Sequence, residues 1–564
     1  MNRFGPTLEE KGVRFRLWAP SVEKVLLEIE GQSPLAMDTR PGGWKEVFAE
    51  AAIGTRYRFR IGGQPVPDPA SRAQAGGVHG WSVVTAPLRA DPNWKGKPWE
   101  EAVLYECHPG LLGGFKGVAE KLPALQTLGV TAIELMPIAA FPGARNWGYD
   151  GVLPFAPAEA YGTPEDLQAL IARAHALGLM ILLDVVYNHF GPEGNYLALY
   201  AKPFFRADAP TPWGSAIDFR VLEVRDFFSE NARHWLFGYG FDGLRFDAVH
   251  AIKDEGWLDR LAQELRREAN SRHIHLTLEN DDNAASYLRQ GFDAQWNDDV
   301  HHAFHVLLTG EGNGYYSDYS QRPAEMLARG LAEGFIYQGE RSPYRHGSPR
   351  GEPSHDLPPS AFIDFLQNHD QTGNRPFGER LIRLSDPRAL KAAIACLLLS
   401  PHIPMIFMGE ELGSRSPFYY FTDHEPELAK QVREGRRREF QAAAGAAHDD
   451  LSDCNSEETF QSSDPAFDAP EKESWLAYYS ALLGTRRRHV MPRLKGSRAG
   501  GAQAVGEKAV LAHWRMGDGE RLTIAVNLGE TAISANLPKD GLIWGERRGV
   551  ELQPFTTLAW LSHV

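Results

Sequence analysis

The chain has 564 residues, of which 43% are hydrophobic and 23% charged, values typical of a globular protein with more than one domain. The net charge of −14, with short basic runs, argues against a nucleic-acid partner and an anionic substrate, and it favours a neutral ligand. Three widely separated cysteines predict no disulfide framework. With no secretory signal pattern and no apolar stretch of membrane-spanning length, we expect a cytoplasmic protein without a membrane partner.

Residues 1–92 are predicted to form an N-terminal β-sandwich. Val13, Phe15 and Leu17 alternate with Arg14 and Arg16, and the same alternation recurs near residue 59. Period-two alternation is typical of strands with one buried face, and turns rich in glycine and proline separate these runs. A proline- and lysine-containing stretch at 91–99 is interpreted as a linker.

Residues 100–488 show strands alternating with amphipathic helices. Eight strands are predicted, beginning near Val103, Thr131, Met180, Gly243, Ile274, Phe292, Ala361 and Ile403. Eight β/α units favour a (β/α)8 TIM barrel. The alternative is a doubly wound open sheet, but no G-x-G-x-x-G follows the first strand.

Long connections interrupt the predicted barrel. Residues 190–219 and 339–360 are long βα loops that we expect to shape a substrate cleft. An insertion near 442–470 is small, acidic and polar, and it is predicted to be exposed. Residues 490–564 return to period-two alternation, which predicts a C-terminal antiparallel β-sandwich.

Three acidic residues stand where predicted strands end. Asp247, Glu279 and Asp370 follow the segments GLRF, HLTL and FIDFLQNH. In a parallel barrel these ends open onto one face, where active sites are built. Mutual repulsion makes such a cluster unfavourable without chemistry to perform, and a nucleophile with a protonated acid is the requirement of retaining glycoside hydrolysis.

Arg245 and the surroundings of Glu279 are predicted to give two of these acids different protonation states. It lies two residues before Asp247, on the same side of the strand, and would keep that carboxylate ionised. The partly apolar segment around Glu279 would keep Glu279 protonated as an acid. Asp184, at the end of strand three, is expected to orient Arg245.

Further polar and aromatic residues surround the predicted site. His189 and His250 could bond sugar hydroxyls, although a buried structural histidine is an equal alternative for each. Trp147 and Tyr149 are placed to stack on sugar rings, whose C–H faces suit aromatic platforms. Tyr187, Phe190 and Tyr196 extend this aromatic cluster.

A metal or other cofactor is not expected. The pair His273-Ile274-His275 has ligand-like spacing, but it lies at the start of strand five, away from Glu279. Neither H-E-x-x-H nor C-x-x-C occurs. A structural calcium on the acidic loops stays open.

The motifs DVVYNH, GLRFDAVH, the Glu279 segment and FLQNHD resemble the four motifs of the α-amylase superfamily of glycoside hydrolases. The resemblance implies Asp247 as nucleophile, Glu279 as acid/base and Asp370 as transition-state stabiliser. It also implies sugar contacts in the cleaved subsite, which would come from Arg245, His189, His369, Asn368 and Tyr149.

Longer segments resemble the maltooligosyltrehalose trehalohydrolase family, among them ELMPIAAFPGARNWGYDG, DAQWNDDVHHAFHVLLTGE and QNHDQTGNRPFGERL. The resemblance implies an N-terminal domain of the carbohydrate-binding kind. It implies cleavage of the α-1,4 bond next to a terminal trehalose and release of trehalose. The oligosaccharide would be supplied by a maltooligosyltrehalose synthase.

The chain departs from amylases in two places. His250 and Ala251 stand where amylases typically carry Lys-His, which fits the trehalohydrolase pattern, and HPGLLGGFKG lacks an expected threonine segment. A branching or debranching enzyme is the nearest alternative. A non-catalytic glycan-binding protein is a further one, although all three acids are present.

Overall fold

The computed structural model describes residues 3–211, 214–252, 256–444 and 451–563. Near the N-terminus, two antiparallel sheets enclose a core that includes Phe15, Tyr57 and Phe59. The first sheet contains Thr7–Glu9, Gly12–Trp18, Trp44–Ala49 and Asp38–Arg40. The second contains Leu35–Ala36, Leu26–Ile29, Arg56–Ile61, Gln64–Val66, Trp81–Val83 and Gln74–Ala75.

Eight parallel strands close into a barrel in chain order. The strands are Leu104–Cys107, Ala132–Leu135, Met180–Val185, Gly243–Phe246, His275–Leu278, Ala294–Trp296, Phe362–Asp364 and Ile403–Phe407. Strand eight pairs with strand one, with Leu104 opposite Met405. The predicted TIM barrel is confirmed, and the open-sheet alternative is wrong because a doubly wound sheet leaves two unpaired edges.

Helices cover the outside of the barrel and its loops. The longer ones are Gly114–Leu128, Pro164–Ala176, Leu222–Arg233, Trp257–Ala269, Asp298–Thr309, Pro323–Glu333, Pro387–Leu399, Pro426–Ala444 and Lys472–Thr485. The helix after strand two begins with the expected capping box of Thr163 and Asp166. A π-helical turn, His234–Tyr239, extends the helix after strand three.

The barrel interior changes character along its axis. The lower interior is apolar and comprises Leu104, Ala132, Met180, Leu182, Ala294, Ile363, Ile403 and Met405. Two residues further along strands one to four, the upper interior carries Glu106, Glu134, Asp184 and Arg245. Side chains two residues apart share a face, so strands one to three each contribute one apolar residue and one ionisable residue to the interior. The ionisable layer lies at the carboxyl ends of the strands.

The loops at those ends are structured. The loop at 190–219 contains Leu197–Tyr200 and a hairpin of Phe205–Thr211 with Gly214–Ile217. The loop at 339–360 contains a hairpin of Arg341–Ser342 with Ser348–Pro349. Tyr187 and Phe190 of the predicted aromatic cluster are buried in the hydrophobic core, where they pack against other side chains.

The predicted insertion near 442–470 is only partly exposed. Residues 451–470 contain a short helix, Glu457–Ser462, and they pack on the barrel through Cys454 and Phe460. The expectation of an exposed segment is therefore wrong for this part, because one cysteine and one aromatic residue anchor an otherwise polar sequence. Residues 445–450 lie outside the described residues.

The C-terminal part is antiparallel, as predicted. Five strands form one sheet in the order Arg498–Gly506, Ala509–Arg515, Arg521–Asn527, Thr556–Ser562 and Leu542–Trp544. A two-stranded ribbon of Ile533–Ser534 and Glu551–Leu552 lies beside it. Leu537, Leu552 and Trp560 fill the space between the two sheets.

Candidate active site

One buried guanidinium organises the catalytic face. Arg245 is fully buried, donates from Nη1 to Asp184 at 2.6 Å and to Asp247 at 2.9 Å, and donates from Nη2 to Glu279 at 2.8 Å. Its charge lies 4.0 Å above the ring of Trp296. Each ion pair between Arg245 and a carboxylate offsets part of the free energy that is lost when the two charges are removed from water. The sequence predicted the contact with Asp247 and Asp184 but missed the contact with Glu279.

Asp247 has both carboxylate oxygens occupied by donors. Arg245 binds Oδ1, and the amide of Asn188 donates to Oδ2 at 2.6 Å. Asn188 also donates to the backbone carbonyl of Asp247 at 2.9 Å. These bonds stabilise a negative charge and fix its direction. Sequence reasoning missed Asn188, although it precedes His189 in the motif DVVYNH and could have been found there.

Glu279 is bound through one oxygen. Its Oε2 accepts from Arg245 and, at 3.0 Å, from the backbone N–H of Ala248. Ala248 has the left-handed φ of +41°, which turns this N–H toward Glu279 immediately after Asp247. Burial raises the pKa of Glu279, Arg245 lowers it and Asp247 raises it, and the net shift is upward. No donor in the described part of the chain binds Oε1, so that oxygen is suited to carry the proton.

Asp370 and His369 begin the short helix that follows strand seven. The Asp370 side chain is 38% exposed, and it accepts from Asn374 at 3.1 Å and lies 3.4 Å from Nε2 of His369. The buried His369 ring contacts Glu106 through Nδ1 at 2.5 Å. Burial alone would lower the pKa of His369, but the charges of Asp370 and Glu106 raise it to about 9.

Tyr149 contacts both Asp184, which is a partner of Arg245, and His369. Its hydroxyl donates to Asp184 at 2.6 Å, and its ring stacks on His369 with centroids 5.0 Å apart. Trp147 is buried, contacts the edge of His369, and donates its indole N–H to the carbonyl of Tyr419 at 2.9 Å. Trp147 therefore supports the imidazole from behind, while Tyr149 is only half-buried.

The other predicted binding residues have protein partners. His189 bonds through Nε2 to the carbonyl of Tyr149 at 2.9 Å, and Asn368 caps the helix that carries His369 and Asp370. His250 accepts from the N–H of Asp281 at 3.3 Å. Sugar contacts by these residues stay predictions.

A further carboxyl on this face was missed. Asp298 follows strand six, and Gln371 donates to it at 3.1 Å while accepting from the hydroxyl of Tyr315 at 3.0 Å. Burial, and then the charge of Glu279, raise the pKa of Asp298 to about 8. Its position after a predicted strand end, in WNDD, was a usable signal.

The residues that the structure describes contain no group of three histidine, cysteine or acidic side chains arranged to hold a metal ion. No described helix has both the length and the apolar character needed to cross a bilayer.

Known proteins resemble the chain in fold and sequence. The family described as "Alpha amylase, catalytic domain" matches residues 74–205, and a domain family of unknown function matches residues 497–556. A crystal structure described as "Putative alpha Amylase from Salmonella typhimurium" is 42% identical, with a TM-score of 0.94 and full coverage of both chains.

Two curated relatives carry the same name, malto-oligosyltrehalose trehalohydrolase. The relative from Saccharolobus solfataricus is 41% identical and covers 86% of this chain and 87% of its own length. The relative from Deinococcus radiodurans is 40% identical, covering 84% and 81%. The barrel, its carboxyl cluster and these matches define the chain as a glycoside hydrolase of the α-amylase family. Within that family it belongs to the malto-oligosyltrehalose trehalohydrolases.

Proposed function

We propose that this enzyme hydrolyses the α-1,4-glucosidic bond next to the terminal trehalose of maltooligosyltrehalose, with retention of configuration. The products are free trehalose and a shortened maltooligosaccharide. The relatives' name supports the choice of substrate.

The Arg245 contacts carry this proposal. One planar group reaches Asp247 through Nη1 and Glu279 through Nη2, so the two carboxyls lie side by side. Retaining enzymes need such close carboxyls, whereas inverting enzymes leave room between them for a water molecule. The two acids also differ in setting, because Asp247 has donors on both oxygens and Glu279 has them on one.

The first chemical step uses this difference. Asp247 attacks the anomeric carbon of the glucose beside the trehalose, and the bond to the trehalose oxygen breaks. Glu279 gives its proton, held on Oε1, to that departing oxygen. Asp370, supported by His369, binds ring hydroxyls of the distorted sugar, and Tyr149 packs beneath the ring.

The second step restores the enzyme. Water attacks the same carbon and replaces Asp247, while Glu279 accepts a proton from that water. The maltooligosaccharide leaves with its new reducing end in the α configuration, because two displacements at one carbon cancel.

We further propose that the enzyme acts in the cytoplasm together with a maltooligosyltrehalose synthase, which would make its substrate. The three buried cysteines, none of them in a disulfide, support a reducing compartment.

The test is an incubation with maltooligosyltrehalose, followed by proton NMR of the anomeric signals. We expect one trehalose per bond broken and an α reducing end that appears before mutarotation. The Glu279→Gln variant should release neither product, while Glu434→Gln, on the exposed helix Pro426–Ala444, should match the wild type. Chain transfer or α-1,6 cleavage without trehalose would reject the proposal in favour of a branching or debranching enzyme.

A further inference from the structure

Strand one places a buried carboxyl directly beneath His369. Glu106 is 1% exposed, and its Oε2 accepts from the backbone N–H of His369 at 3.1 Å. Its Oε1 lies 2.5 Å from Nδ1 of the same residue. One carboxylate therefore holds both the backbone and the ring of His369, across a separation of more than two hundred residues in sequence.

Aromatic contacts prevent the ring of His369 from turning. Tyr149 is stacked on it with an interplanar angle of 22°, and Trp147 meets it at 90° with centroids 5.3 Å apart. With Nδ1 bound to Glu106, the opposite nitrogen, Nε2, faces Asp370 Oδ2 at 3.4 Å. The ring thus connects a buried carboxylate to the exposed one at the site.

We propose that Glu106 is a positioning residue that keeps His369 protonated on both nitrogens, so that an N–H always points from Nε2 toward Asp370 and its bound sugar hydroxyl. This inference rests on the function proposed above. A neutral imidazole could carry its single proton on Nδ1 and leave Nε2 without a donor, which would remove this orientation from Asp370.

Several charged or titratable groups act on His369 from the elements packed around it. They are Glu106 on strand one, Glu134 on strand two, Asp184 on strand three, Arg245 on strand four, Asp370 on its own helix, and His108 after strand one. Burial and Arg245 favour neutral His369, whereas Asp370 and Glu106 favour the cation. Because burial raises the pKa of Glu134 to about 8, Glu134 is mostly protonated at pH 7 and contributes little negative charge to His369.

Glu106→Gln is the informative variant, because it keeps the shape and removes the charge. Glu134→Gln is its matched control, since Glu134 is equally buried and lies opposite Glu106 in the register of strands one and two. No donor among the described residues binds either oxygen of Glu134.

Trehalose release by the two variants, compared with the wild type from pH 5 to pH 8, tests the proposal. Loss of a facing charge shifts a pKa by one unit or more, which is tenfold per unit in the ratio of protonated to neutral imidazole. From a pKa of about 9, a fall of one to two units lowers the protonated fraction of His369 about two- to tenfold at pH 8 and leaves it unchanged at pH 5. We expect the ratio of kcat/KM between Glu106→Gln and wild type to fall about two- to tenfold from pH 5 to pH 8. The profile of Glu134→Gln should parallel the wild type up to pH 7, where Glu134 is mostly protonated. An equal loss at all pH values would assign Glu106 to the fold alone and overturn the proposal.

A second measurement needs no substrate. Nitrogen NMR of ¹⁵N-histidine-labelled protein, with His369 assigned by substitution, should show both of its nitrogens protonated at pH 7.5 in the wild type. In Glu106→Gln the same residue should titrate at lower pH, and an unchanged titration would overturn the proposal even if activity were lost. If the wild type released no trehalose, the function proposed above would be rejected, but the titration of His369 would still test the role of Glu106.

Discussion

The lower and the upper interior of the barrel lie two residues apart on the same strands, but the lower interior is apolar and the upper interior carries ionisable groups. Leu104, Ala132 and Leu182 are followed at the next inward position by Glu106, Glu134 and Asp184. The lower layer excludes water and stabilises the fold, since apolar burial is the main driving force of folding. The upper layer buries ionisable groups, which is unfavourable without partners.

The difference shows how the site obtains its electrostatics. The apolar layer forms a low-dielectric floor beneath Arg245, so the pairings of that residue with Asp184, Asp247 and Glu279 are stronger than they would be in water. Stability and chemistry are thus separable by layer. Substitutions in the lower layer should reduce stability and leave turnover intact, and substitution of Asp247, which lies above the upper layer, should reduce turnover and leave stability intact.

The largest effect is expected for Asp247→Asn above the upper layer. Loss of the proposed nucleophile should lower kcat/KM roughly 10⁴-fold or more. The melting temperature should stay equal or rise, because one of the crowded negative charges is removed while a bond to Arg245 remains possible. Trehalose release and a thermal scan measure the two effects. A large fall in melting temperature would contradict the separation of layers.

Leu182→Ala tests the lower layer. Truncating this fully buried leucine should cost about 2–5 kcal/mol of unfolding free energy. The kcat of the folded fraction should remain within a few-fold of wild type. Denaturant unfolding with activity assays checks this, and Leu199→Ala, at a site 47% exposed, is the control with little expected change. A strong loss of kcat at full folding would show that the lower layer takes part in catalysis.

Glu134→Gln should remove a pH-dependent loss of folding stability that arises in the upper layer. Because burial raises the folded pKa to about 8, the folded state binds the proton more tightly than the unfolded state does. Wild-type stability therefore falls as pH rises from about 4.3 toward 8. The variant should gain about 2–4 kcal/mol over wild type at pH 7 and much less at pH 4.5. Melting temperatures across pH give the answer, and a constant difference would refute it.

The smallest effect is expected at Ala248, whose left-handed φ aims an N–H at Glu279. Ala248→Gly should change stability by less than about 1 kcal/mol, because relief of strain is offset by chain entropy. Ala248→Val should cost about 2 kcal/mol and lower kcat, since a β-branched residue rarely adopts this conformation. Equal behaviour of both variants would show that the turn is not under strain.

The barrel was predictable because its signals are local. Each predicted strand start lies within two residues of the observed one, since runs such as MILLDV are apolar on both faces and end in polar loops. The packing of residues 451–470 was not predictable. Cys454 and Phe460 anchor that segment through partners as distant as His108, and composition carries no information about such contacts.

The candidate site residues that directly follow strand ends could be predicted from the sequence. Asp247, Glu279 and Asp370 were placed that way, and the structure brings the first two onto Arg245. Glu106 was missed because an acid inside VLYEC lies more than two hundred and sixty positions from its partner His369. The partners of Trp147 and Asn368 were likewise invisible in the sequence, because they depend on the packed loops.

The most direct test of the account is mass spectrometry of the enzyme after reaction with a 5-fluoro α-glucosyl fluoride. This probe loses fluoride to a nucleophile, and the ring fluorine slows hydrolysis of the resulting ester. We predict one glycosyl adduct on the peptide that contains Asp247, and none in Asp247→Asn. An adduct on Glu279 or Asp370 would contradict the assignment, and consumption of the probe with no adduct at any stage would contradict the covalent mechanism.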